Sequence, residues 1–459
     1  MNSLKQVDVS DVIDGAAFGA IPFWVIVIGI LCMTTDGFDL QSMSFAAPAV
    51  ATEWAIRREL LGPVLAASIV GMAVGSVLLG WIGDRIGRKR SFAFCFALMA
   101  FGSLGSSLSA TLLQLMIFRF VTGIALGGAA PLATALVAEW MPKRWRTLGV
   151  ATVIVAVPAG GMIGGMIAEH IVPAYGWRSV FAAGAAIPLL CLFVTLFKVP
   201  ESPLFLASRP ERRSTLAELL NRLKGSTLYS GQEVFTVAGP RAKNRNELVT
   251  LLRAPYLAKT LVLWATFSLN TLALYGFVNW LPTIVAASGE SLVSALRSAV
   301  FFNVGGVVGA ICGSLLISSC GSRLVGSSMA LIAVLAMLIV GTVIGPGHGI
   351  QSSTWSFAAV SICGMCLNGT QVFLYAVAAD AYPTAIRATA VGCAAAVSRI
   401  GGVASSAVGS AIFLFGLSIG TYFYVLAAVA VGVMLGFLYL GERMPAVTHT
   451  DVEPSREGR

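Results

Sequence analysis

Twelve apolar runs succeed one another along this chain. They lie at roughly 22–48, 61–83, 91–110, 112–138, 147–172 and 177–199, and then at 257–286, 294–317, 323–345, 354–379, 388–414 and 416–440. A helix needs about 20 residues to cross a bilayer core of about 30 Å. In that core backbone polar groups must be satisfied internally, which admits only helices and closed barrels. The runs are too long and too uniformly apolar for barrel strands, which alternate over about ten residues. The expected fold is an all-α membrane protein of twelve transmembrane helices. The third and fourth runs are separated only by a short polar stretch, Ser106, Ser107, Ser109 and Thr111. With 11% charged residues against the roughly 25% of soluble proteins, a soluble enzyme, a disordered tail or a nucleic-acid binder is excluded, even at a net charge of +9.

That charge is distributed as a topology signal. With the N-terminus inside, 24 of the 30 Lys and Arg fall in segments on the inner side, including Arg85, Arg88, Lys89, Arg90, Lys143, Arg144 and Arg146. The outer segments hold Arg57, Arg58, Arg178 and Arg297, and two more, Arg119 and Arg399, lie inside apolar runs. The positive-inside rule then places both termini in the cytoplasm. The acidic N-terminus lacks a basic n-region and a cleavage site, so no removable signal peptide is expected.

Four segments follow: a six-helix bundle at 1–199, a polar cytoplasmic loop at 200–256, a second six-helix bundle at 257–440 and a cytoplasmic tail at 441–459. Within the loop, Arg212 to Lys224 has the pattern of a short amphipathic helix that could lie at the membrane surface. The bundles are related. Gly128, Glu139, Pro142 and Arg146 recur 241 residues on as Gly369, Asp380, Pro383 and Arg387, and Gly160-Gly161 recurs as Gly401-Gly402. Parallel six-helix repeats describe one architecture of secondary transporters.

Intramembrane charges are costly and default to functional candidates. The first run carries Asp36-Gly37-Phe38-Asp39, two carboxylates three apart on one helix face and a candidate proton site. The fourth reads Arg119-x-x-x-Gly123-x-x-x-Gly127, with Arg119 about 10 Å in from the outer end. Arg119 is the candidate counter-charge to Asp36 or Asp39. Arg399, about 16 Å from the inner end of the eleventh run, is the candidate anchor for a substrate carboxylate, because guanidinium matches carboxylate bidentately. Asn270, Tyr275, Asn279, Asn303, Asn368, Gln371 and Tyr375 are candidate lining residues, and Trp280 reads as an interfacial anchor. Gly83, Asp84, Arg85, Gly87 and Arg88, with Glu139, Arg146, Asp380 and Arg387, are candidate gating residues at the inner helix ends. An acid at a helix C-terminus opposes the macrodipole, so helix stabilisation alone does not account for Glu139 or Asp380.

Gly80-x-x-Gly83-Asp84-Arg85-x-Gly87-Arg88-Lys89-Arg90 resembles the loop 2–3 signature of the major facilitator superfamily. The second-half counterpart, Ser318-Ser319-Cys320-Gly321-Ser322-Arg323, has lost most of that charge, and a weaker latch is expected there. Pro200-Glu201-Ser202-Pro203 resembles an element of sugar porters and related families. Asp-Gly-x-Asp in the first run, with the arginines of the fourth and eleventh, closely resembles the aromatic acid:proton symporter family of that superfamily. The resemblance implies a monomeric transporter in the bacterial inner membrane, importing benzoate-, hydroxybenzoate- or aryl-alkanoate-like anions with protons by alternating access.

Several rivals stay open. An efflux antiporter often carries Gly-Pro in the fifth helix, whereas Ala156-Val157-Pro158 has no Gly before Pro158. A sugar or other organic-anion porter shares the fold, but buried acids and arginines fit an anion and a proton better than a neutral sugar. A non-transporting sensor of aromatic compounds is a third. A membrane-embedded enzyme would need a catalytic or metal set, and His170, His348 and His449 all fall in loops or the tail. Cys363-x-x-Cys366 without a second pair reads as helix packing. No cofactor and no metal are expected.

Overall fold

In the computed structural model the twelve runs form twelve long helices. The described residues are 6–236, 247–320, 322–343 and 354–442. The side chains of Asp84, 314–320, 322, 323, 354, 384, 385, 388, 441 and 442 lie outside the description. So do the tail at 443–459, His348, His449 and Gly321 of the Ser318–Arg323 loop.

The first six helices are α1 (Ala20–Glu53), α2 (Leu61–Ile86), α3 (Arg88–Ser107), α4 (Leu112–Trp140), α5 (Lys143–Tyr175) and α6 (Arg178–Lys198). The second six are α7 (Leu257–Ala287), α8 (Leu292–Cys320), α9 (Ser322–Val343), α10 (Thr354–Asp380), α11 (Thr384–Leu414) and α12 (Ile419–Glu442). Eleven of the twelve are long and apolar enough by themselves to cross a membrane. The remaining one, α3, begins with Arg88, Lys89 and Arg90 and spends Gly102, Ser103, Gly105 and Ser106 on close packing, so its own apolar length is short. Thr111 starts α4 by accepting from the main-chain N–H of Gln114, at the polar stretch that parts the third and fourth runs. Between α2 and α3 the chain turns on Gly87 alone (φ +98°), where a side chain would be strained and would strike Glu201.

Within each half, glycines bring backbones into direct contact. Gly71 and Gly75 of α2 lie on the main chain of Phe120 and Ile124 of α4, while Gly123 and Gly127 lie on that of Ser68 and Met72. The second half repeats this: Gly305 and Gly309 of α8 lie on Ser361 and Met365 of α10, and Gly364 on Phe302. Gly160 of α5 abuts Thr34 of α1 as Gly401 of α11 abuts Ser268 of α7.

The apolar interior is split in an informative way. One face of the molecule carries the short helices between the halves and is termed the cap face; the opposite one is the far face. Along the far face a single core runs through both halves, joining Phe45, Val50, Leu61 and Trp177 to Phe277, Trp280, Leu296 and Phe302. Toward the cap face there are two separate cores. One gathers Phe92, Phe96, Leu126 and Trp140 of the first half, the other Phe267, Phe373, Tyr382 and Phe437 of the second. The halves are fused on the far side and parted on the cap side.

The cap itself is a small folded unit. Strand β1 (Gln6–Asp8) pairs in parallel with β2 (Val234–Thr236). Helix Arg213–Lys224 buries Leu216, Ala217 and Leu220 against Val9, Val12, Ile13, Leu206 and Phe235. The amphipathic stretch read from the sequence is therefore a helix, but its apolar face is occupied by protein rather than lipid.

Candidate functional site

Helix α1 rises about 51 Å over its 34 residues, which sets Asp36 and Asp39 roughly halfway along it. Gly37, between them, lies on the main chain of Val157 of α5, so a Cβ there would run into that carbonyl. This close crossing fixes the rotation of α1 and sends its two acids in different directions.

Asp39 turns into the first half. Arg119 Nη1 donates to Asp39 Oδ1 (3.1 Å), and Nη2 donates to Oδ2 (3.0 Å) and to the Asp39 main-chain oxygen (2.7 Å). Arg119 Nε donates to Ser68 Oγ (3.1 Å), and Ser103 Oγ donates to Asp39 Oδ1 (2.9 Å). The Arg119 guanidinium also sits 5.5 Å from the centroid of the Phe181 ring. Arg119 is 0% and Asp39 1% exposed. A buried pair survives only when its geometry is good and its remaining groups are bonded, and both conditions are met.

Asp36 turns toward the interface between the halves. It is 6% exposed, and its Oδ1 is buried without a hydrogen-bond partner. It lies within Coulombic reach of Arg399 and of Tyr275, outside ion-pair distance. Arg399, midway along α11, has Nη1 donating to the Tyr275 hydroxyl of α7 (3.1 Å) and lying 3.7 Å from Met72 Sδ of α2. Tyr375 of α10 belongs to the same electrostatic group, and its ring packs on Phe267.

The lining candidates separate into distinct settings. Asn270 Nδ2 donates to Gln371 Oε1 (2.7 Å), tying α7 to α10. Asn368 donates to the Gly364 carbonyl (3.0 Å) and lies near Gly306 and Pro158. Asn303 is engaged elsewhere: it exchanges two amide hydrogen bonds with Gln41 of α1, at 2.9 and 2.8 Å, across the two halves. Asn279 is buried near the far face, and Trp280, read from the sequence as an interfacial anchor, is fully buried against Gly409 and Phe413. The physical reason is the fusion of the halves there, which turns the far end of α7 into core.

Ser44 Oγ donating to the Val278 carbonyl (2.6 Å), Arg297 paired with Glu169 (2.5 Å) and Ser410 Oγ donating to the Glu59 carbonyl (2.8 Å) also join the halves toward the far face.

At the cap face the gating candidates are dispersed. Glu139 accepts from Ser202 Oγ and stands 3.6 Å from Arg88. Arg146 pairs with Asp14. Arg85 stacks 3.7 Å over Trp81, and Gly83 packs near Leu132. Glu201, noted in the sequence only as part of a family element, accepts from the Lys89 main-chain N–H (3.0 Å) and so caps α3. Asp380 and Arg387 lie on the second half, with Asp380 exposed. The pairs of Arg88 with Glu139 and of Arg146 with Asp14 both lie on the first-half side of the cap face. Gln41, Ser68, Met72, Ser103, Asp14 and Glu201 are the participants that sequence reasoning passed over. For Gln41 a signal existed, a primary amide two residues after Asp39 in an apolar run.

Among the described residues no cluster of His, Cys, Asp and Glu could hold a metal ion. Seven cysteines, Cys363 and Cys366 among them, are free thiols.

The family model described as Major Facilitator Superfamily matches residues 29–406. A gallate transporter of Pseudomonas putida is 32% identical over 447 residues, covering 96% of this chain and 98% of that protein. The 4-hydroxybenzoate transporter PcaK of Pseudomonas aeruginosa is 29% identical over 415 residues, covering 90% and 91%. Among solved structures, the xylose transporter XylE from E. coli in an inward open conformation superposes with a TM-score of 0.71 at 17% identity, covering 94% of this chain and 98% of that one.

Proposed function

Because the chain belongs to the major facilitator superfamily, we propose that it moves aromatic carboxylates across the membrane by alternating access, with Arg399 holding the substrate carboxylate. It is a transporter and not an enzyme. The carrying observation is the incompletely paired guanidinium of Arg399, set midway along α11 at the junction of α2, α7 and α11. An anion in that position gains a charge-assisted, geometrically matched partner. Tyr275 bonds the guanidinium directly, and in this reading Tyr375, Asn368 and Gln371 of α10 supply a ring face and polar edges to the substrate. The relatives named for gallate and 4-hydroxybenzoate direct the choice to benzoates bearing ring hydroxyls.

In this reading the protein is a monomer in the bacterial inner membrane, with the cap face and both termini in the cytoplasm. Residues 1–199 and 257–440 rock as two bundles about the midplane, linked by 200–256. In the same reading, the fused far face and parted cap face correspond to an inward-facing arrangement. Protons enter with substrate, and the Asp36, Asp39 and Arg119 group couples the two. At the cytoplasmic helix ends, Gly83, Asp84, Arg85, Gly87, Arg88, Glu139, Arg146, Asp380 and Arg387 come together when the bundles close there.

The test is uptake of radiolabelled 4-hydroxybenzoate and gallate into cells expressing the protein, with and without a protonophore. Accumulation abolished by the protonophore is expected. Accumulation that rises with the protonophore would identify efflux instead.

A further inference from the structure

The two acids of α1 are not equivalent, and the difference bears on how protons and substrate are linked. Both oxygens of the Asp39 carboxylate are occupied, Oδ1 by Arg119 and Ser103 and Oδ2 by Arg119, while its main-chain oxygen takes a third bond from Arg119. A proton on this carboxylate would cancel the charge that balances a fully buried guanidinium. Asp36 has a buried oxygen with nothing bonded to it, and it faces the interface where Arg399 stands.

The charged and titratable groups around Asp36 can be named helix by helix. On α1 they are Cys32 and Asp39. Helix α4 contributes Arg119, already bound to Asp39. Helix α6 contributes Cys191, beside Thr35. Helices α7, α10 and α11 contribute Tyr275, Tyr375 and Arg399. Helix α5 crosses α1 nearest Asp36 at Val157, Gly160 and Gly161, none of them titratable, and α2 offers Met72 beside Arg399. Within this group the Asp39 and Arg119 charges cancel, which leaves one carboxylate and one guanidinium, Asp36 and Arg399.

We propose, building on the carboxylate-transport reading above, that Asp36 alone carries the transported proton. It does so by alternating with the substrate carboxylate as the counter-charge of Arg399, so that one proton accompanies each monocarboxylate and the cycle is electroneutral. Without substrate, an ionised Asp36 balances Arg399. When the substrate anion takes its place at the guanidinium, an ionised Asp36 would be left buried and unpaired, a state that a carboxylate in an apolar interior avoids by taking up a proton. The loaded site then holds one guanidinium cation, one substrate anion and one neutral Asp36, with no net charge. On the return step substrate and proton have both left, and Asp36 again balances Arg399. Asp39 and Arg119 hold the first half in shape throughout.

The full-length protein in liposomes tests this with radiolabelled 4-hydroxybenzoate as probe. An inward proton gradient at zero membrane potential should drive accumulation, and an inside-negative potassium diffusion potential at equal pH should change uptake by less than about twofold. Equilibrium binding to the wild type should weaken about tenfold per pH unit on the alkaline side, as one linked proton requires. Asp36→Asn, monitored for folding by size-exclusion profile and melting, should lose gradient-driven accumulation by tenfold or more. It should still bind the probe, with an affinity that does not vary between pH 5 and pH 8.

Potential-driven uptake by the wild type overturns the proposal, and so does gradient-driven accumulation by Asp36→Asn. Loss of binding in a folded Asp36→Asn protein also overturns it, because removing a competitor should favour the anion. If that variant does not fold, the two wild-type drives decide the matter alone. A wild type that neither binds nor transports 4-hydroxybenzoate or gallate overturns the underlying functional reading instead.

Discussion

Two arginines lie deep in this molecule's apolar helices, Arg119 buried and Arg399 half-buried, and they are held in opposite ways. Arg119, inside the first half, donates from all three of its nitrogens to Asp39 and Ser68. Arg399, at the junction of the halves, has a tyrosine hydroxyl and a thioether on one nitrogen and a carboxylate held outside ion-pair distance. A guanidinium with matched acceptors strengthens the bundle it sits in. One left short of acceptors keeps the capacity to bond an added anion. The contrast teaches that charge in a bilayer divides by how completely it is bonded, and not by depth alone.

The contrast can be broken hardest at the closed pair. Arg119→Leu leaves Asp39 buried without its counter-charge and should destabilise the protein by about 3–5 kcal/mol, seen as a collapse of the monodisperse size-exclusion peak. Combining it with Asp39→Leu should recover much of the melting temperature, because two apolar groups can replace a buried pair at little cost. At the open arginine the opposite separation is expected. Arg399→Lys keeps a cation but loses the planar fork, so uptake should fall about 10- to 100-fold, the equivalent of one charge-assisted bond, with melting almost unchanged. Between these lies the Gln41–Asn303 amide exchange. Gln41→Ala leaves a buried amide unpaired and should cost about 1–3 kcal/mol, and adding Asn303→Ala should cost little more, a non-additivity readable in a double-mutant cycle of melting temperatures. The smallest effect belongs to Arg297, half-exposed at the far face beside Glu169, where Arg297→Gln should shift stability by under about 1 kcal/mol.

Much of this architecture is legible in the chain, because the bilayer makes the code coarse. The run at 257–286 becomes a helix over Leu257–Ala287, and the polar stretch between the third and fourth runs becomes the gap between α3 and α4. Half of the internal repeat is legible too, since α4 and α10 keep the 241-residue offset that relates Gly123 to Gly364. The other half is hidden by a change of register. Gly71 and Gly75 of α2 recur as Gly305 and Gly309 of α8 only 234 residues on, so one offset cannot align both.

The site was harder to read, for a geometric reason. Two acids three apart can share a helix face or straddle its edge, and spacing alone does not say which one reaches Arg119. The crossing of Gly37 with Val157 sets that rotation, and Val157 is 120 residues away in the chain. Asn303 reads as a lining residue because an amide in an apolar run has no visible partner in sequence. Its partner, Gln41, lies 262 residues earlier. The cap could not be foreseen, since a three-residue strand such as β1 carries too little pattern to announce its pairing with β2.

That pairing has a practical consequence. The first described residues, from Gln6 through Asp14, supply a strand, a helix and the acid that binds Arg146. Shortening the N-terminus to improve expression, or fusing a reporter directly onto this segment, would therefore strip the partner strand from the linker between the halves and uncover Leu216 and Leu220. An engineer choosing where to attach an affinity handle should leave this end of the chain intact.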